Sequence, residues 1–547
     1  MTASGAPPDL LHAAPIVRID HERTKVAVAI AFAGGNSGGL FAEALERATV
    51  APSPWSPRSF QQDLYLQHFV QSCFAARLGN HRPVMYTSHI VHVLAHPPAD
   101  PTAVDHRRRI LAELSSSPDL RLSFERLYGL LCRFRGQLEG VAGAAKWDAN
   151  RRQLDTLRVV KELFDCMADG FASSKSGLRS LATCADSVRR GEPFLSMCDL
   201  LRYDDGLATV SVKVGVGADG RIRGLQIDSI SENTTNPFVA SPLRRWLAKG
   251  ELFLRGFSFG DGEVMARLIY AVFDGLHDEL VPLVQLLGEV EVYLGALGFQ
   301  EMARAAGLPV CLPQIVSPTE PRVMLGLFNP LLLAATGKVV PCDIHVDRNS
   351  ATVLVTGPNS GGKTRLLQSL ALSQLLAQSG LFVPARTASL ALAPGLVVSL
   401  IQETRADQGE GRLGMELLRI RELFEDLQPG AMVILDELCS GTNPSEGEEI
   451  FELVVRMLAR LNPQVLITTH FLAFAARLEG ERKIPNLRFL QVELGADQQP
   501  TYQFAPGVAR TSLACHTAAR LGVTGEQLAA LVDRNLRRGR DAESGWG

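Results

Sequence analysis

Ala351-Thr-Val-Leu-Val-Thr356, then Gly357-Pro-Asn-Ser-Gly-Gly-Lys363-Thr364, then Arg365-Leu-Leu-Gln-Ser-Leu-Ala-Leu-Ser-Gln-Leu-Leu376 is the stretch that decides the fold. The first segment is apolar and β-branched, which predicts a buried strand. The second fits G-x-x-x-x-G-K-[ST] without a mismatch. The third has helical spacing and strong helix formers. Strand, glycine loop and helix form the context in which this motif cradles phosphate. Glycines let backbone N–H groups curl round phosphate oxygens, and the helix start adds its positive dipole end. Gly357, Pro358, Asn359, Ser360, Gly361, Gly362, Lys363 and Thr364 are therefore the candidate phosphate-binding residues. Lys363 is expected to reach the outer phosphates, and the Thr364 hydroxyl to hold Mg²⁺.

Working outward, Ala431-Met-Val-Ile-Leu-Asp-Glu437 predicts a second buried strand ending in two carboxylates. Asp436 is the natural Mg²⁺ partner, because hard cations take oxygen ligands. Glu437 is placed to polarise an attacking water. Cys439-Ser-Gly-Thr-Asn-Pro-Ser445 follows as a polar loop suited to contact across a nucleotide-sandwich dimer. Val465-Leu-Ile-Thr-Thr469 predicts a third strand with His470 at its C-terminal end, where ligands of open α/β sheets bind. His470 is placed to sense a γ-phosphate or to orient water. Gln402 to Asp407 is a polar stretch after the strand-like Leu396 to Ile401. It is expected to link nucleotide state to the helical domain.

At 547 residues the chain exceeds what one core supports, so several domains are expected. The net charge of −3 gives no global attraction to nucleic acid, so any such surface is a local patch. Nine cysteines with no C-x-x-C pair argue against a disulfide framework or zinc site and for a reducing cytoplasm. Residues 1–20 read as a flexible leader without the features of a signal peptide. The apolar window Leu381–Ile401 is interrupted by Pro384, Arg386 and Pro394, which argues against a membrane span.

In chain order, Lys25–Ala33 reads as a short strand. Phe60–Leu78, Asp105–Leu114, Leu120–Leu138, Val159–Ala168 and Leu178–Val188 read as helices, with Asp119 as an N-cap. Ala208–Val216 and Arg221–Ile230 alternate with period two about Ala218-Asp-Gly220, which predicts a β-hairpin. That hairpin carries Lys213, Arg221 and Arg223, either ordinary surface charges or contacts to a polyanion. Two helices, Gly262–Leu276 and His277–Leu297, follow. The expected organisation is a leader (1–20), a helical core or lever (21–319) with the hairpin near 207–235, a nucleotide domain (320–511) and a C-terminal helical segment (512–547). The fold class is an α/β P-loop (ABC-type) ATPase domain preceded by a mostly α-helical domain with a small β-rich insertion.

These residues resemble the ATPase of the MutS family of DNA mismatch-repair proteins. The resemblance rests on Thr356-Gly-Pro-Asn-Ser-Gly-Gly-Lys-Thr364, Leu381-Phe-Val-Pro-Ala385, Leu435-Asp-Glu-Leu-Cys-Ser-Gly-Thr442 and Thr468-Thr-His-Phe471, in the family's order. It implies ATP and Mg²⁺ as cofactors, hydrolysis with Glu437 and His470 as catalytic residues, and a homodimer formed through the ATPase domains. It also implies a cytoplasmic protein of DNA repair or recombination that binds duplex or branched DNA. The hairpin sits where the family inserts its DNA-clamping element, so Lys213, Arg221 and Arg223 become candidate DNA contacts. Ser512–Arg538 is similar to the family's C-terminal dimer segment. Three departures stand beside this. The helical core begins almost at once, leaving no room for mismatch-reading and connector domains. Gly411–Leu417 is shorter than the family's equivalent. No nuclease domain follows in this sequence. A nucleotide-switched ATPase that acts on a protein partner without touching DNA is the alternative reading.

Overall fold

The structure is a computed structural model that describes residues 7–34, 38–50, 52–76, 82–140, 149–204, 208–216, 222–232, 261–358, 360–400, 412–439, 443–461, 463–510 and 523–544. The chain separates into two compact units. The first comprises residues 1–51, 75–93 and 102–297. The second comprises 52–74, 94–101 and 298–547.

The first unit is helical. Its elements are α1 (His21–Ala33), α2 (Leu40–Glu46), most of α4 (Thr87–Ala95) and α5 (Pro101–Ser116), α6 (Pro118–Glu139), α7 (Ala149–Phe171), α8 (Arg179–Arg189), α9 (Glu192–Asp204) and most of α10 (Asp261–Ala305). The helix α3 (Leu66–Cys73) belongs to the second unit. Between α9 and α10 lie β1 (Ala208–Val216) and β2 (Ile222–Glu232), an antiparallel pair with Lys213 opposite Gln226. Only the backbone course of this hairpin is described. Lys213 and Arg223 lie on its strands, and Arg221 lies outside the described residues.

Several expectations are corrected here. Lys25–Ala33 is helical, not a strand. The Asp20 side chain caps α1 by accepting from the Arg23 N–H, and Gly34 closes it at φ 106. The supposed strand face Val26, Val28, Ile30 is split, with Val28 buried and the other two exposed. Ser117, not Asp119, is the N-cap of α6, with Pro118 in the first turn. The two helices expected over 262–297 are one, with Pro282 inside it. Met265–Ala305 is long and apolar enough to cross a membrane, but 94% of its most apolar window is buried within the protein, as in a core helix.

Residues 7–20 are packed rather than a loose leader. Leu10, Leu11 and Ile19 are buried. The Arg18 guanidinium donates to Asp9 (2.6 Å) and to Glu289 on α10 (2.7 Å), and the Leu10 N–H donates to Glu289 (2.7 Å). Buried charges of this kind persist when each lone pair and donor is met, as here. Deeper along α10, the Glu291 carboxylate accepts from the Tyr86 N–H (2.6 Å) and the Tyr128 hydroxyl (2.9 Å). Burial pushes its pKa up to about 7.

The second unit is α/β, and two sheets organise it. A four-stranded sheet has the order β3 (Gln314–Ile315), β7 (Thr387–Leu390), β4 (Arg322–Leu327), β5 (Cys342–Val346). The six-stranded sheet runs β12 (Pro500–Pro506), β11 (Leu487–Leu494), β6 (Thr352–Thr356), β10 (Gln464–Thr468), β9 (Met432–Leu435), β8 (Leu396–Ser399). Within it β8, β9, β10, β6 and β11 are parallel, and β12 is antiparallel. All five residues of β6 are buried, as are all residues of β9 and β10, which fits continuous apolar runs in a doubly covered parallel sheet. In the four-stranded sheet α11 (Pro330–Thr336) joins the antiparallel pair β4 and β5; crossovers of the six-stranded sheet run through α12 (Lys363–Gln378), α13 (Arg412–Asp426), α14 (Pro444–Arg460) and α15 (Leu472–Glu481), and α16 (Gly525–Ser544) follows it.

The helix expected over Phe60–Leu78 is shortened to α3. The chain before it forms a 3₁₀ turn at Pro57–Ser59 and then a left-handed Tyr65 (φ 50, ψ 44), which resets the helix start.

Candidate nucleotide site

The parallel register brings the C-terminal ends of β6, β8, β9 and β10 to one edge of the sheet, where ligands of such sheets bind. From β6 the chain turns through Gly357 (φ 137) and Gly362 (φ 83) into α12. Both angles favour glycine. A Cβ on Gly357 would lie 2.7 Å from the Val492 side chain, so the loop also passes too close to β11 for any larger residue. Asn359 lies outside the described residues.

Lys363 begins α12 and is buried. Its Nζ donates to the carbonyls of Gly357 (2.9 Å) and Pro358 (3.1 Å) and stands 4.0 Å from Glu437 Oε1. Burial pulls its pKa below the ordinary lysine value, while Glu437 and Asp436 act in the opposite sense. The Thr364 hydroxyl donates to Asp436 Oδ2 at 2.6 Å. Asp436 Oδ1 accepts from the Thr468 hydroxyl, and its backbone N–H donates to the Ser399 carbonyl (2.9 Å). Glu437 adopts φ 50, a conformation that non-glycine residues seldom take, and its N–H donates to Thr468 Oγ1 (2.8 Å). Asp436 and Glu437 thus turn off β9 with Thr468 serving both. His470 is exposed beyond the end of β10, its ring against Phe471 (4.1 Å between centroids).

A cleft of about 460 Å³ opens here, lined by Ser360, Lys363, Thr364, Gln368 and Tyr502 together with Asp63 and Tyr65 from far upstream. His470 is not among its lining residues. A second cavity, about 620 Å³, shares Gly362, Arg365 and Tyr502 with it and is walled by Leu327, Phe328, Val339, Val340 and Phe504. Tyr502 stands between the two, and a Cβ on Gly362 would come within 3.2 Å of its ring.

The chemistry of this donor set fits a magnesium nucleotide. Thr364 and Asp436 offer two neutral or anionic oxygens side by side, the sparse protein ligation Mg²⁺ takes when substrate phosphates and water complete its shell. Among the described residues no cluster of three or more His, Cys, Asp or Glu side chains gathers to make a dedicated metal cage. Lys363 places a buried ammonium beside these oxygens, 4.0 Å from Glu437.

Residues 353–532 match the family MutS domain V. This part of the chain is similar to the MutS family. The endonuclease MutS2 of Thermus thermophilus is 34% identical over 201 residues, 37% of this chain and 26% of that protein. The endonuclease MutS2 of Gemmatimonas aurantiaca is 32% identical over 266 residues (47% and 32%), and that of Thermomicrobium roseum 28% over 264 (46% and 32%). The matched part spans between a quarter and a third of these MutS2 relatives.

The sequence pattern singles out the contiguous motifs but not Tyr502, Asp63 or Tyr65, which also line the cleft. Thr468 stood inside a quoted motif without a role. Tyr502 sits on a short strand whose pattern points to no ligand, so only the sheet order reveals it. Gln402–Asp407, Gly409–Gly411 and residues 440–442 lie outside the described residues, as do 511–522 of the C-terminal segment.

Proposed function

We propose that the chain is a magnesium-dependent ATPase whose nucleotide cycle is coupled to binding of duplex or branched DNA, in DNA repair or recombination. The observation that carries the ATPase reading is the 2.6 Å contact between Thr364 and Asp436 beside a buried Lys363. Bound magnesium supplies charge neutralisation across the outer phosphates. The loop N–H groups and Lys363 hold the phosphate oxygens, and Thr364 and Asp436 present oxygens to the ion. Glu437 accepts a proton from, or orients, the attacking water, and His470 assists at the strand end. The apolar cavity walled by Val339, Val340 and Phe504 holds the base, with the Tyr502 ring against it.

The match to MutS domain V supports a homodimer through the ATPase domains. On α16, Leu528, Leu531 and Val532 share one face and are exposed, which suits a contact with a second copy. DNA contact is assigned to Lys213, Arg221 and Arg223 of the hairpin, through phosphates and hence salt-dependent.

The test is phosphate release measured alone and with duplex, mismatched and four-way DNA, paired with a gel shift of K213E/R221E/R223E. Stimulation by one DNA form and a weakened shift in the variant are expected. Intact ATPase activity without DNA retention at low salt would assign the chain to the alternative, a nucleotide-switched protein-interaction ATPase. Absence of both ATP binding and hydrolysis would overturn the reading.

A further inference from the structure

The free edge of the six-stranded sheet, β8, is covered by a strap from residues 55–65 within the same unit. The Trp55 indole N–H donates to the Ala393 carbonyl (2.9 Å), the Ser59 hydroxyl donates to the Leu396 carbonyl (2.6 Å), and Asp63 Oδ1 accepts from the Leu400 N–H (2.7 Å). These three contacts run from just before β8, through its first residue, to just beyond its end, where Leu400 lines the phosphate cleft. There Asp63 and Tyr65 form part of the wall, with Lys363 and Thr364 on the same cleft.

The last contact has a particular geometry. The Ser399 carbonyl and the Leu400 N–H belong to one peptide group, which is planar and rigid. Its N–H end is held by Asp63 and its carbonyl end accepts from the Asp436 N–H (2.9 Å). Rotating that plane would break both contacts together. The carboxylate of Asp63 therefore fixes the backbone of Asp436, whose own carboxylate accepts from Thr364 and Thr468. A hydrogen bond given by the N–H also polarises the carbonyl at the other end of the plane, which strengthens its bond to Asp436. Tyr65 holds a left-handed backbone (φ 50) at the point where the strap meets the cleft, the kind of local strain that persists where surrounding contacts enforce it.

We propose that Asp63 is a positioning residue of the nucleotide site, setting the Asp436 carboxylate for magnesium through the Ser399–Leu400 peptide plane. This rests on the ATPase reading above. The role belongs to the acceptor oxygen of Asp63, so an amide that keeps this oxygen preserves most of it.

The experiment uses the full chain and three variants, D63A, D63N and D63E. It measures the magnesium concentration for half-maximal phosphate release, and separately the binding of a fluorescent ATP analogue in excess chelator. D63A is expected to raise the magnesium requirement about tenfold, the worth of one hydrogen bond to a charged group. Analogue binding without magnesium should move by less than about twofold. D63N should return the requirement to within about threefold of wild type, since its Oδ1 still accepts from Leu400. If D63A does not fold, D63E, which displaces the acceptor by one methylene, must raise the requirement several-fold. An unmoved requirement in D63A or D63E overturns the inference, as does equal impairment of D63A and D63N. So does a loss of chelator-resistant binding as large as the loss in magnesium response, which marks general damage. Wild-type protein that neither binds nor cleaves ATP would instead defeat the underlying reading, and this inference with it.

Discussion

Thr364 Oγ1 lies 2.6 Å from Asp436 Oδ2, so the two oxygens expected to face one magnesium ion already touch across 72 residues of chain. Asp436→Asn keeps the shape and removes the charge. It is expected to weaken magnesium-dependent ATP binding by roughly ten- to a hundredfold, in line with about 1.5–3 kcal/mol for a charge-assisted contact. Titration of magnesium against a fluorescent nucleotide checks this, and binding in chelator should change little.

Glu437 and Lys363 make a contrasting pair of variants. Glu437→Ala is expected to bind MgATP as wild type does and to slow turnover by roughly 10²–10⁴, the usual range for a positioned acid–base group. Lys363→Ala should lose tight binding itself. Equilibrium binding and steady-state phosphate release, measured on the same preparations, separate the two. Wild-type turnover in the Glu437 variant would remove that residue from the chemistry.

The buried Lys363 ammonium gives a pH signature. Its pKa is lowered by burial, and phosphate oxygens placed against it would raise it again. The complex therefore binds the Lys363 proton more firmly than the free protein does. Affinity should be flat while the free-state lysine is protonated and fall as pH rises through its lowered pKa. Analogue binding without magnesium, followed from neutral into alkaline pH, measures this. Lys363→Arg, which stays charged throughout, should flatten the curve whatever its absolute affinity.

Glu291 predicts a stability effect in the helical unit. Its folded pKa is raised to about 7, so between its unfolded value and 7 the native state binds the proton and the unfolded chain does not. Stability from this group is thus present in mild acid and is lost as pH rises towards 7. Glu291→Gln keeps an acceptor for the Tyr86 N–H and removes the titration. Relative to wild type, the variant should gain about 1–3 kcal/mol between roughly pH 5 and pH 7.5, because each pH unit separating the folded and unfolded values is worth about 1.4 kcal/mol. Urea unfolding at both pH values provides the comparison.

The fold of the α/β unit was legible where its parts are contiguous. Strand β6, the glycine loop and α12 declare themselves within one unbroken run (351–378), because phosphate binding and close passage by Val492 both demand glycine locally. Asp436 and Glu437 were legible as the end of a strand, whereas Thr468 was legible only as part of a motif. Asp63 and Tyr502 were not, since their roles come from sheet order and from a strap 337 residues away from its partner Leu400. The failure at Lys25–Ala33 has a different cause. Alternating Val and Ala mimics a strand, whereas the decisive signals were the capping residues Asp20 and Gly34 at the ends. The break expected between Leu276 and His277 is absent, because α10 runs unbroken from Asp261 to Ala305.

The strap over β8 sets an order of events during synthesis. Trp55, Ser59 and Asp63 leave the ribosome long before the strand they will cover exists, so they must wait unpartnered while the chain between emerges, a separation of 337 or 338 residues for each contact. Joining ends so far apart in sequence is slow, and the sheet margin stays available to neighbouring nascent chains until it happens. Completion of the cleft wall and safe folding are thereby tied to one late docking step, and a shortened transcript encoding only the C-terminal half would yield a sheet with its margin bare.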